Sequence, residues 1–395
     1  MTICIEKRFF NLNRLLLLPF GLWPGKKTKF TLLQGTLLCS FLMSSIAFLL
    51  SRLFIAECSF DFVVRIFSST TFYVMLAIPS ISFWINRRNI KYLLDQVQYI
   101  YDRLKDRNEI AIYDKYGYIA KHITIIVTVL LACGLCFSFV ILYWPYVLDA
   151  VMPKNESYAL RTMEIVTKYF KVSEKYYVLV LVHLNMACSV GLITLIATGT
   201  MMMSYFKHAC GMFEIASYRI EQAMAIELLH IFDMKNEIII YRKIICAVDI
   251  HRKAMEFAKC FVTSIEGSFF VLVITTVLCM SFNLFRVFQI ELPMEKMEEV
   301  LLHLLSVMLI LLIMFLANNT GQEIIDHSNN VYVITYNISW YLAPIRIQKL
   351  ILFLLQRSNK IFTLSIGGLF TISLECFATL VSASMSYFTF MYSMQ

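Results

Sequence analysis

Seven stretches without a single charged side chain decide what this chain can fold into. They are Phe30–Ser51, Ile66–Asn86, His122–Leu148, Tyr176–Phe206, Gly267–Phe285, Val300–Gln322 and Cys376–Gln395. A helix needs about 20 mainly apolar residues to cross roughly 30 Å of hydrocarbon, and each run is long enough. Inside hydrocarbon only helices and closed barrels satisfy their backbone polar groups, and no alternation of period two points to a barrel. The expected fold is therefore all-α, a polytopic membrane protein with seven transmembrane helices. Composition agrees: of 395 residues 59% are hydrophobic and 16% charged, with a mean hydropathy of +0.69. Soluble domains keep about a quarter of their residues charged. No Pro-, Gly- or Ser-rich linker divides the chain, so one bundle is expected.

Orientation follows from the basic residues, which concentrate on the cytoplasmic side of membrane proteins. With the N-terminus inside, the cytoplasmic segments hold 26 of the 35 Lys and Arg residues. These are Lys7, Arg8, Arg14, Lys26, Lys27 and Lys29, eight in Arg87–Lys121, eight in Lys207–Lys259, and four in Arg346–Lys360. Seven crossings then place the C-terminus outside. A G-protein-coupled receptor has the opposite arrangement. The net charge of +8 is this same bias and implies no nucleic-acid partner.

Smaller signals fit this frame. Leu15–Phe20 is too short an apolar run for a signal peptide. Asn155-Glu156-Ser157 is a glycosylation sequon in a loop expected outside, whereas Asn318-Asn319-Thr320 and Asn337-Ile338-Ser339 fall inside, where modification is not expected. The 11 cysteines lie mostly in apolar runs without metal spacing and read as packing residues.

Beyond the membrane the hydrophobic period is helical. Leu93, Leu94, Val97, Ile100, Tyr101 and Leu104 recur at helical spacing among charges, as do Phe213, Ile220, Met224, Leu228 and Ile231. Tyr332–Leu355 is apolar enough to suggest an eighth crossing. Pro344, Arg346, Gln348 and Lys349 break it, and Ile345–Leu355 is too short. These pieces are expected to bundle as a cytoplasmic helical anchor region.

The last run carries a pattern of its own. Glu375, Thr379, Ser382, Ser386, Thr389 and Ser393 are spaced to share one face of a helix. Phe377, Leu380, Val381, Met385 and Phe388 take the opposite face. A polar stripe in hydrocarbon is costly unless it meets water or protein. Small hydroxyl residues also let helices pack closely, so the spacing alone leaves both a packing seam and a water-filled path open. Phe390 and Met394, at the outer end, suit a hydrophobic constriction.

Gly321–Gln395, about a fifth of the chain, resembles the C-terminal region of insect odorant receptors. The matching elements are Gly321-Gln322, Ile325-Asp326-His327-Ser328, Tyr336-Asn337, Trp340-Tyr341, Gln348-Lys349, Gln356-Arg357-Ser358, Gly367-Gly368, Ser373-Leu374-Glu375, Phe377-Ala378 and Ser386-Tyr387-Phe388. The rest matches only in helix count, loop sizes and inverted topology. The long loop that the shared co-receptor carries after its fourth helix is absent, so the chain is more similar to an odour-tuning subunit.

That resemblance implies a subunit of a tetrameric, odour-gated, nonselective cation channel that assembles with the co-receptor as a heterotetramer. It implies residence in the plasma membrane of an olfactory sensory neuron dendrite, in contact with lipid, with no catalytic residues, cofactor or metal. Residues 1–29 are then a cytoplasmic N-terminus, and 30–320 the first six crossings with the ligand pocket. Residues 321–364 form an anchor helix for subunit contacts, and 365–395 the pore-lining crossing. The resemblance puts the gate at Phe390 and Met394, with Thr379, Ser382, Ser386 and Ser393 facing the ion path. An aromatic gate residue is bulkier than the aliphatic one of the co-receptor. It also implies an apolar pocket for small volatile ligands in the outer half of the second, third, fourth and sixth crossings. The candidates there are Ser69, Phe72, Tyr73, Phe137, Val140, Trp144, His183, Met186, His303 and Val307. Helix packing accounts for Tyr73 and Trp144 as simply, and for the other candidates more simply.

Other classes fit less well. A transporter calls for internal repeats and Gly- or Pro-broken helices, but the chain has 12 Gly, 7 Pro and no repeat. An enzyme calls for clustered titratable groups, whereas the seven His are scattered. A gustatory receptor of similar architecture is the nearest alternative.

Overall fold

The computed structural model describes residues 4–25, 28–55, 59–151, 174–225, 234–289 and 297–394. Asn155, Leu228 and Ile231 lie outside the described residues. Two short helices open the chain, α1 (Ile5–Phe9) and α2 (Asn11–Leu17). The first crossings are α3 (Lys29–Ile55) and α4 (Phe60–Ile85), followed by α5 (Arg87–Arg103). Four long helices come next: α6 (Arg107–Val151), α7 (Tyr177–Ala225), α8 (Met234–Gln289) and α9 (Met297–Asn337). A 3₁₀ turn at Trp340–Leu342 leads to α10 (Ile345–Ser358), a hairpin of β1 (Ser365–Ile366) and β2 (Phe370–Thr371), and α11 (Leu374–Ser393).

Six helices among the described residues are long and apolar enough to cross a membrane, within α3, α4, α6, α7, α8 and α9. The seventh, α11, has 20 residues, and its polar stripe dilutes its hydropathy. Outward-facing apolar residues such as Leu37, Val129, Leu130 and Met308 are 53–64% exposed, a surface that water would not tolerate but lipid does.

At 1.5 Å per residue, the 56 residues of α8 run about 84 Å, far more than the bilayer core. The excess lies at the basic end. There the stripe Leu93, Leu94, Val97, Ile100, Tyr101 and Leu104 is buried, as its spacing predicts. It shares one core with Phe213, Ile220, Phe257 and Phe261 from the extensions of α7 and α8.

Two contributions to that core were not apparent from the sequence. Ile5, Phe9, Phe10 and Leu17 of the N-terminal helices are buried in it. Asn13, wholly buried, donates to Thr200 Oγ1 at 2.9 Å. Each fully buried aliphatic or aromatic side chain contributes roughly 1.5–3 kcal/mol. Arg8 seals the edge by donating to Asp114 at 2.7 Å and to Tyr118 at 3.2 Å. The Tyr118 hydrogen bond, ahead of the Asp114 charge, holds its guanidinium above the ordinary value.

Tyr332–Leu355 does not make an eighth crossing. The chain turns at Ser339–Ala343, and α10 starts after Pro344. Ile347, Ile351, Leu354 and Leu355 of α10 are buried, the first two and Leu355 against Ile240 and Ile244 of α8. Residues 321–364 are therefore the tail of α9, a turn, α10 and the approach to the hairpin.

Candidate functional site

The seventh helix is positioned from its first residue. Ser373 caps α11 by accepting from the Cys376 amide at 3.2 Å, which satisfies one of the orphan donors of the first turn. The hairpin before it turns through Gly367 and Gly368, with φ of +62° and +67°, where a Cβ would be strained. Gly367 N donates to Glu266 Oε1 of α8 at 2.8 Å. Gly321 of α9 lies directly against Ile372: a Cβ there would come within 2.4 Å of the Ile372 carbonyl oxygen. The hairpin is thus clamped between α8 and α9, and it fixes where α11 begins. A Gly-Gly pair between short apolar runs is a recognisable hairpin signal, though strands of two residues were too short to read.

From that anchor α11 packs one face inward. Leu380, Ser384 and Phe388 are buried, and Phe377 and Val381 half-buried, against α8 and α9. Ser281 Oγ of α8 donates to the Ser384 carbonyl at 3.0 Å, and Phe315 meets Phe377 edge-on at 5.7 Å. Met385, assigned to that face from spacing, is 42% exposed and sits at its margin.

All six stripe residues, Glu375, Thr379, Ser382, Ser386, Thr389 and Ser393, are exposed. The hydroxyls of Thr379, Ser386, Thr389 and Ser393 donate back to their own helix at 2.8–2.9 Å, which leaves acceptor lone pairs outward. Phe390 and Met394 continue the same open surface at 60% and 70% exposure. Among the described residues, then, the polar stripe is not a seam against the chain's own helices.

The outer end of the bundle holds a charge cluster that the sequence did not reveal. Arg286, 2% exposed, bridges Asp61 of α4 at 2.6 Å and Glu299 of α9 at 2.5 Å. Asp61 also pairs with Arg65 at 2.6 Å. His303 Nδ1 lies 2.8 Å from Asn283 Oδ1, and its other ring nitrogen 3.9 Å from Glu299. Three crossings are tied together at one level.

The ten ligand candidates divide by environment. His303 and Val307 are buried one turn apart on α9, and Tyr73 donates from its hydroxyl to the Leu184 carbonyl at 2.9 Å. Phe72 and Tyr73 meet edge-on at 6.3 Å, and Ser69 is half-buried one turn away. His183 turns to α3, with Nε2 3.1 Å from Ser45 Oγ and its ring edge-on to Phe41. Phe137, Val140, Trp144 and Met186 are 51–55% exposed.

A cavity of about 150 Å³ lies instead in the basic half, between α4, α6, α7, α8, α9 and the hairpin. None of the ten lines it.

Fold and surface together define a polytopic helical membrane protein with a clamped, amphipathic last helix. The chain belongs to the family described as 7tm Odorant receptor, whose model matches residues 59–385. Its fold is similar to that of the insect olfactory receptor OR5 from Machilis hrabei solved in complex with eugenol, at a TM-score of 0.78 and 15% identity over 99% of both chains. A second structure of that receptor gives a TM-score of 0.70 at 15% identity, over 99% of this chain and 98% of the other. Among curated proteins none matches. The protein is a receptor of this family, not an enzyme.

Proposed function

We propose that this chain is the odour-tuning subunit of a ligand-gated, nonselective cation channel, working with the shared co-receptor in a heterotetramer in the plasma membrane of an olfactory sensory neuron dendrite. The observation that carries the reading is the exposed polar stripe of α11 opposite a buried apolar face. Such a stripe needs water or a polar partner beside it. Copies of this helix gathered around an axis supply water, and the stripe becomes the ion path. Phe390 and Met394 then form the hydrophobic constriction at its outer end, gating by dewetting.

The ligand class is a small volatile apolar molecule, whose affinity comes chiefly from buried area. A neighbour of the same fold is solved with eugenol. We place the ligand in the outer half, among Ser69, Phe72, Tyr73, His303 and Val307, with Phe137, Val140, Trp144, His183 and Met186 around them. Asn155 belongs to the outside loop as a glycosylation acceptor.

Whole-cell recording tests the reading. Cells expressing this chain with the co-receptor should show a fast odour-evoked cation current that survives G-protein blockade and is absent without the co-receptor. Surface expression of both chains with no current to a broad odorant panel would contradict it.

A further inference from the structure

The basic-half cavity is distinct from any outer-half pocket, and three features of its wall select an occupant. Its volume of about 150 Å³ is that of cavities known to take a single benzene ring. Its lining is apolar, with Met75, Leu195, Phe206, Ile265 and Phe370 among it. The hydroxyl donors of the threonines there are satisfied within their own helices. Thr198, Thr276 and Thr320 each return their hydroxyl hydrogen to their own helix, at 2.6–3.0 Å.

Two residues depart from that pattern. Gly199 lines the cavity without a side chain, and a Cβ placed on it meets nothing within 4 Å. Asn318, 7% exposed, gives one amide hydrogen to the Met314 carbonyl at 2.9 Å, and its Oδ1 accepts no hydrogen bond among the described residues. That oxygen keeps accessible surface at the cavity wall, so a ligand carrying one donor can pair with it.

We propose that this cavity is a second ligand site, for a single-ring aromatic molecule bearing one hydroxyl or N–H that donates to Asn318. Ile366, Phe370, Ile372 and Cys376 form its floor, so an occupant presses on the hairpin and the first turn of α11.

The test uses the full chain in nanodiscs of fluorine-free lipid, with 4-fluorophenol as probe and ¹⁹F NMR as readout. A bound resonance distinct from that of empty nanodiscs is expected, displaced by phenol. Gly199→Leu puts a side chain into the open space of the cavity and should cut the resonance of this site about tenfold or more, in line with the cost of steric overlap. Asn318→Leu should keep binding of fluorobenzene while losing the preference for 4-fluorophenol over it. Leu37→Ala, on the outward-facing surface of α3, should change nothing. An outer-half pocket gives its own resonance, so the proposal is overturned if Gly199→Leu removes no bound resonance, or if the spectrum is no different from that of empty nanodiscs. Because no current is measured, failure here leaves the channel reading untouched, and a silent channel leaves this site untouched.

Discussion

Arg286 shows how much one side chain can hold at the outer end. Its guanidinium is buried between two carboxylates on different helices. Removing one partner of a buried ion cluster costs about 3 kcal/mol or more, because the remaining charges lose their counter-ion. Arg286→Met should therefore lower the Tm of the purified protein and its surface expression, and adding Asp61→Asn should restore part of both. An unchanged Tm would mean the cluster is solvated after all. Gly321 acts by absence. Gly321→Ala drives a Cβ into the Ile372 backbone, so α9 and the hairpin must part, at roughly 1–3 kcal/mol, and the Tm should fall accordingly. Phe390 belongs to function. Truncating a ring that closes a hydrophobic constriction lets water in, so Phe390→Ala should raise the ligand-free current. A ligand-free current no larger than that of the unmodified chain would remove Phe390 from the gate.

Elements were legible in proportion to their contact with water. The α5 stripe could be read because charges mark its other face, and every residue of it is buried. Inside hydrocarbon both faces of a helix are apolar, so periodicity no longer tells which one packs. Phe137, Val140 and Trp144 share a face by spacing, yet only the fold shows that face half-open. The α11 stripe escaped this silence because its polar residues are themselves the pattern. Of the hairpin only the Gly367-Gly368 pair shows in the sequence: its strands are two residues each, and its hold comes from Glu266 and Gly321, distant in sequence. The basic-half cavity is still further out of reach, being assembled from six parts of the chain. At this scale Gly367→Val is the decisive change. A β-branched residue at φ +62° is strained by about 1–2 kcal/mol. It should shift the odour dose-response of the channel while leaving the Tm only slightly reduced. A large fall in Tm with an unaltered dose-response would make the hairpin a structural clamp alone.

The whole molecule is a bundle whose helices outrun the membrane at one end and whose last helix leaves a polar face unpartnered. Helix count, the buried α5 stripe and the broken eighth segment followed from the sequence; the contribution of α1 and α2 to the basic-end core did not, since five- and seven-residue helices carry too short a period. The central claim is that the open face of α11 lines an ion path. Cysteine accessibility tests it most directly, with a membrane-impermeant thiosulfonate applied to odour-evoked current in the co-expressed channel. Ser386 lies on the exposed stripe, whereas Ser384, two residues away, is wholly buried. The account predicts irreversible loss of current in Ser386→Cys, and none in Ser384→Cys or in the unmodified chain. Current that persists in a fully labelled Ser386→Cys channel would contradict it.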